Sequence, residues 1–335
     1  MPADQLAGLS DDLILATVLL YLAAMIGFAL ELAFGRARTN SGATSITVTE
    51  AEVTEGVPAV AVAAKAAVAA GSAKGGPAET GAGAVVVSPP EPPAWAPMAG
   101  RIAVVLGWLG WAANLGSIVT RGLSVGRWPW GNMYEFVVAI CFAAVTAFLV
   151  TQLRANVRFL GAFVMVTSAL GLGFAVIWLH VQAGPVVPAL NSYWIAIHVS
   201  AAVIAGGLFI VAGVSGILYL LRGEGFSRLP TRDDLERVAH RAIVLAFPIW
   251  TFAVIAGALW ADKAWGRYWG WDPKEIWAFI TWIAYAAYLH ARATAGWRGR
   301  AATIVQLIAF ACLLFNLVGV NIFLGGLHSY ADVGG

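Results

Sequence analysis

Eight stretches of this chain stay apolar for about the length of a membrane-crossing helix, and this pattern limits the fold more than any other feature. A spanning helix needs about 20 mostly apolar residues, because backbone polar groups inside lipid must bond within their own segment. Segments 12–34, 102–120, 133–152, 157–179, 193–221, 242–261, 275–291 and 302–324 meet that length. At 60% hydrophobic and 11% charged residues, the composition excludes an ordinary soluble domain. The expected fold is an all-α integral membrane protein of about eight transmembrane helices with an external tryptophan-rich loop. Segment 193–221 exceeds what the bilayer needs, so it should tilt or project beyond it.

The cations set the expected orientation. With Asp11 and Asp12 outside, the first span runs inward to Arg36 and Arg38. Of the 20 Lys and Arg, only Arg121, Arg127, Lys263, Arg267 and Lys274 then fall outside. This bias follows the positive-inside rule and places both termini and the tryptophan-rich loop outside a bacterial plasma membrane. The net charge of +2 gives no indication of nucleic acid. The start is acidic and its apolar run span-length, which argues against a cleavable signal peptide. Cys141 and Cys312 fall inside spans without Cys-x-x-Cys spacing and read as small packed hydrophobes.

Residues 39–98 break the apolar pattern. They are rich in Ala, Gly, Val, Pro, Thr and Glu and close on Ser88-Pro89-Pro90-Glu91-Pro92-Pro93. The expected organisation is an N-terminal transmembrane anchor (1–38), a flexible cytoplasmic linker (39–98) and a seven-span core (99–335).

Chemistry concentrates in one loop: Trp265-Gly266-Arg267-Tyr268-Trp269-Gly270-Trp271-Asp272-Pro273-Lys274-Glu275-Ile276-Trp277. Flat aromatic surface beside Arg267 and Lys274 suits a large planar anion, and haem with its two propionates is one. Part of the loop has a structural reading. Asp272-Pro273-Lys274-Glu275 reads as a helix start, with Asp as N-cap, Pro at N1 and Glu closing a capping box. Asp272 is therefore open to shaping the loop or to touching a ligand. Interfacial belts account for scattered residues such as Trp250 and Trp297, but less well for Trp265, Trp269, Trp271 and Trp277 around one loop. A second loop, from Arg121 to Glu135, falls on the same face, where Arg121 and Arg127 have two readings: propionate partners or headgroup anchors.

Neutral imidazole is a natural axial ligand for haem iron. His198 lies near the outer start of the fifth span, with Trp194 one turn before it on the same face. His328 follows the last span in Leu324-Gly325-Gly326-Leu327-His328, also outside. Each alone would read as an interfacial polar residue; together on the face of the tryptophan loop they read as ligands. His290 ends the seventh span about 27 Å from Pro273, too far to share that ligand. His240 stands at the inner interface among Arg237 and Arg241, as a solvated residue or an in-chain mate for His290. His180 ends the fourth span and reads as an interfacial anchor.

The loop closely resembles the WWD signature of the cytochrome c assembly family, in its CcsA/ResC-type (also labelled CcsB) branch. Asn132-Met133-Tyr134-Glu135 is similar to an Asn-x-Tyr-Glu segment of that family, and the resemblance covers about 102–330. It implies b-type, non-covalently bound haem, ligated outside by His198 and His328. Trp265, Trp269, Trp271, Asp272, Arg267 and Trp194 would lie around it, and His290 would be a ligand near the cytoplasmic side. It implies the haem-handling subunit of a membrane cytochrome c synthetase (system II), part of a haem lyase complex, that moves or presents haem to the Cys-x-x-Cys-His segment of apocytochrome c. The implied partners are a second cytochrome c biogenesis membrane protein (CcsB/ResB/Ccs1 type) completing the His290 site, apocytochrome c and a thiol-reducing thioredoxin-like protein. No residue is an obvious acid, base or nucleophile, so the chemistry would rest on positioning. Two other readings stay open: a haem exporter or chaperone without ligation activity, and a cytochrome b-like redox protein pairing His240 with His290.

Overall fold

The computed structural model describes residues 1–35, 93–185, 190, 192–222, 229–294 and 296–328. These residues are helical, with no strand among them. The long helices are α1 (Ala3–Phe34), α2 (Trp95–Val125), α3 (Met133–Arg154), α4 (Gly161–Trp178), α5 (Tyr193–Leu221), α6 (Arg232–Trp265), α7 (Pro273–Thr294) and α8 (Gly299–Leu314). α8 continues through a π-helical turn, Phe315–Gly319, into the short helix Val320–Phe323. Every apolar segment expected as a span is thus a helix. Up to residue 92 the expected linker 39–98 lies outside the described residues, and its last residues open α2, which starts at Trp95 rather than 102.

Seven of these helices are long and apolar enough to cross a membrane, counting α8 with its continuation to Phe323. α7 is long enough but less apolar. Lys274 and Glu275 open it, His290 and Arg292 close it, and Trp277, Trp282, Tyr285 and Tyr288 supply much of its middle. The protein is an all-α membrane protein. Leu15, Ile26, Leu109, Leu170, Ile177, Ile204, Ile255 and Ile308 face outward uncovered, as lipid-facing side chains must.

The helix α1, expected as an anchor apart from the core, packs along α2 and α4 within the same compact unit. Ser10 Oγ donates to the Ser117 carbonyl at 3.0 Å. The Tyr21 ring fills the space where a Cβ on Gly110 would stand, and Phe28 does the same at Gly161. Two large apolar clusters make up most of the core among the described residues: one is built largely from α1 to α4, the other from α5 to α8 with Ile140 of α3.

Thr231 caps α6 through the Asp234 amide at 3.1 Å, and the helix runs to Gly266. There the backbone turns left-handed (φ 71°), and the Gly266 N–H closes on the Asp262 carbonyl. The tryptophan loop therefore begins at a true helix end and is bounded by the cap of α7.

Candidate functional site

The loop is held by the start of α7. Glu275 Oε2 accepts from the Asp272 N–H at 3.0 Å and the Gly270 N–H at 2.8 Å, while Asp272 Oδ2 accepts from the Lys274 N–H at 3.3 Å. The Glu275 half is the capping box expected from the spacing, while Asp272 caps the second helical amide, that of Lys274, rather than the third. Between the two amides caught by Glu275, Trp271 sits at φ 58°, a left-handed conformation uncommon for a bulky side chain. Its ring is 64% exposed, edge-on to Trp269 at 5.7 Å.

Asp272 does more than cap. Its Oδ1 accepts from the Leu327 N–H at 2.7 Å, and its Oδ2 lies 2.7 Å from His328 Nδ1. Burial opposes its charge, but the His328 side chain and the Leu327 and Lys274 amides outweigh this and hold the carboxyl below the usual carboxylate range. An ionised carboxylate only accepts, so Nδ1 of His328 carries the proton and the lone pair lies on Nε2.

His198, on α5, is set the same way by α6. Its Nδ1 lies 2.8 Å from the Ala253 carbonyl, another pure acceptor, which again leaves the lone pair on Nε2. The close approach needs Gly257, where a Cβ would stand 2.8 Å from Cε1 and Nδ1 of the ring. Trp260 touches both histidines: parallel to His198 at 6.2 Å, and at 62° to His328 at 5.7 Å. Trp265 stands edge-on to His328 at 5.0 Å.

One cavity of about 100 Å³ is lined by His198, His328, Trp260, Trp265, Trp269, Lys274 and Asn316, among others. A second, of about 110 Å³, shares His198, His328, Trp260 and Lys274 and extends to Trp130–Met133. Paired imidazoles, aromatic walls and an interior cation match the donor chemistry haem requires. The room does not yet match. Ligand pockets usually start at ~300 Å³, so a porphyrin requires side chains that line these cavities to turn aside.

Other expected site residues lie elsewhere. Arg267 lies over Gly270, in the space its Cβ would take, with Nη1 4.0 Å from Glu275 Oε1, and it does not line the cavity. Trp271 faces out, and Trp277 packs on Phe315 at 4.3 Å. Trp194 supports the wall, packed against the cluster of Leu190, Ile195 and Trp260. Arg121 and Arg127 do not wait for an anion. Glu135 takes Arg121 Nε at 2.9 Å and Arg127 Nη1 at 2.8 Å, since buried guanidinium groups need a carboxylate. His180 joins that network through Asp11 at 3.3 Å.

At the opposite end of α7, His240 Nδ1 meets the Tyr288 hydroxyl at 3.3 Å. His290 is two residues further on and therefore on the other side of the helix, exposed. The structure does not bring these two histidines together.

Sequence reasoning missed Trp260, Ala253, Gly257 and Asn316. Trp260 left one trace, five residues before Trp265; the others left none, because their role depends on which helices meet.

The Cytochrome C assembly protein family matches residues 130–328, a stretch that holds both cavity histidines and the whole tryptophan loop. The chain is 35% identical over 224 residues to Cytochrome c biogenesis protein CcsA of Chlamydomonas reinhardtii, covering 64% of each chain. It is 34% identical over 276 residues to the protein of that name from Synechocystis sp., covering 63% of this chain and 82% of that one. Against the one from Synechococcus elongatus (strain ATCC 33912) it is 33% identical over 290 residues, covering 70% and 87%. The match takes in more than half of the chain and the complete cavity, and on that ground the chain belongs to the cytochrome c assembly protein family.

Proposed function

We propose that this protein acts in cytochrome c maturation as the haem-handling subunit of a membrane cytochrome c synthetase, holding haem between Nε2 of His198 and Nε2 of His328. One observation carries the reading. Two histidines from segments far apart in the chain border one aromatic cavity, each with Nδ1 tied to an acceptor, which supports Nε2 as the atom that would ligate. The names of the relatives, cytochrome c biogenesis proteins, support it.

Haem is cargo in this reading. Each thiol of an apocytochrome Cys-x-x-Cys-His segment adds across one vinyl group: sulfur bonds to one vinyl carbon, the thiol hydrogen goes to the other, and the double bond becomes single. The chain's own part is to bind, orient and shield. His198 and His328 hold the iron, and Trp260, Trp265 and Trp269 wall the ring from water. The loop end would face outward, with His290 at the inner side completing a second site with a partner membrane protein. A thioredoxin-like reductant would keep the apocytochrome thiols reduced. The cytochrome b-like alternative loses support, because His240 meets Tyr288 while His290 lies on the other face of α7.

The test is replacement of His198 or His328 by Gly in cells that mature a c-type cytochrome. Each variant should abolish maturation, and added imidazole should partly restore it by filling the vacated ligand position. Normal maturation in both variants would overturn the reading.

A further inference from the structure

The fold treats the two cations of the tryptophan loop differently. Arg267 turns onto Gly270 and faces Glu275. Lys274 points inward and lines both cavities beside His198 and His328. Among the described residues, no carboxylate oxygen lies within 4.0 Å of its ammonium group; nearby Asp272 is engaged by His328, Leu327 and the Lys274 backbone.

What Lys274 does have is a carbonyl. In the π-helical turn the Val320 N–H reaches back to Phe315 O instead of closing on Asn316 O, and Lys274 Nζ donates to Asn316 O at 2.6 Å. Asn316 itself also borders the cavity. A buried ammonium without an anionic partner is costly. An incoming carboxylate supplies that partner, accepting from Lys274 Nζ.

We propose that Lys274 binds a carboxylate of the cavity's ligand. The proposal rests on the reading of the cavity as a haem site and adds an orientation: one propionate lies toward the π-helical turn of α8. An ammonium held by a single carbonyl is well suited to exchange partners as cargo arrives and leaves.

The experiment uses the purified full-length protein freed of haem. It is titrated with iron protoporphyrin IX and with its dimethyl ester, the same ring and iron without carboxylates. Wild type should favour the acid over the ester at least tenfold. Lys274→Gln should bind the acid only as well as the ester, with ester affinity and the bis-imidazole absorption spectrum unchanged, and Lys274→Arg should keep part of the preference. A Lys274→Gln variant that retains the full preference overturns the proposal and leaves the haem reading standing. Loss of ester as well as acid in both variants overturns it too, since Lys274 would then hold the fold. Wild type that binds neither form removes the haem reading itself.

Discussion

Asp272 and His328, 56 positions apart, meet at 2.7 Å, and the same carboxylate also caps α7 and receives the Leu327 amide. One side chain thus ties the start of α7 to the segment that follows α8 and orients the imidazole there. The tryptophan loop and His328 are fastened to each other through it, so the loop's structural reading and its ligand-binding reading are one arrangement.

The two roles of Asp272 separate by substitution. Asp272→Asn keeps a good N-cap but loses the charge that fixes His328. Haem affinity should fall about 10–100-fold, as for other partners of metal-bound histidines, with little loss of stability. Asp272→Ala loses the cap as well, at about 1 kcal/mol. Haem titration and thermal unfolding of both variants check this; equal affinity in wild type and Asp272→Asn would show that the contact does not orient a ligand.

Gly257 predicts a loss of ligation without a loss of fold. A Cβ there would stand 2.8 Å from the His198 ring, so Gly257→Ala must push the imidazole from the Ala253 carbonyl. Ala improves α6 by up to about 1 kcal/mol in propensity, against about 1–3 kcal/mol for crowding. A net loss of no more than about 3 kcal/mol, with the fold kept and the bis-imidazole spectrum lost or altered, is the expected outcome. An unchanged spectrum would mean that His198 is not placed by α6.

Trp271 should behave opposite to Trp265. Held at φ 58° and 64% exposed, Trp271 carries backbone strain that glycine relieves. Trp271→Gly should gain about 1 kcal/mol of stability and keep haem affinity, because the ring lies outside the cavity wall. Trp265→Ala, which removes a ring 5.0 Å from His328, should lower haem affinity severalfold. The reverse ordering in a haem titration would put Trp271 in the site.

What the sequence made legible was local or set by which end of a helix a residue occupies. The capping box at Asp272 and Glu275 follows from three-residue spacing. His198 and His328 share an end because span counting carries them there. The packing of α1 was also written in the chain: Ser10, Thr17, Tyr21 and Phe28 lie on one buried face at spacings of seven and four, and the hydroxyls of the first three are groups that lipid would not favour. Illegible were contacts between helices. Nothing in the sequence near Gly257 tells that α5 brings a histidine to it, and nothing before Phe315 announces a π-helical turn. Arg121 and Arg127 read as cations awaiting an anion because their partner Glu135 belongs to the next helix.

The opposite end of α7 supplies a last prediction. His240 is engaged with Tyr288, itself buried, while His290 sits on the exposed face of the same helix. A haem bound by His290 would therefore need its second ligand from outside this chain. His290→Ala should cut the haem that reaches the loop end severalfold when the proposed partner membrane protein is co-expressed. His240→Ala should cost only a weak hydrogen bond, about 1 kcal/mol of stability, and leave haem loading near wild type. Haem absorbance of the purified complexes measures both. Equal losses would mean that α6 and α7 rearrange to pair the histidines within the chain, and no loss from His290→Ala would leave the loop end as the sole haem site.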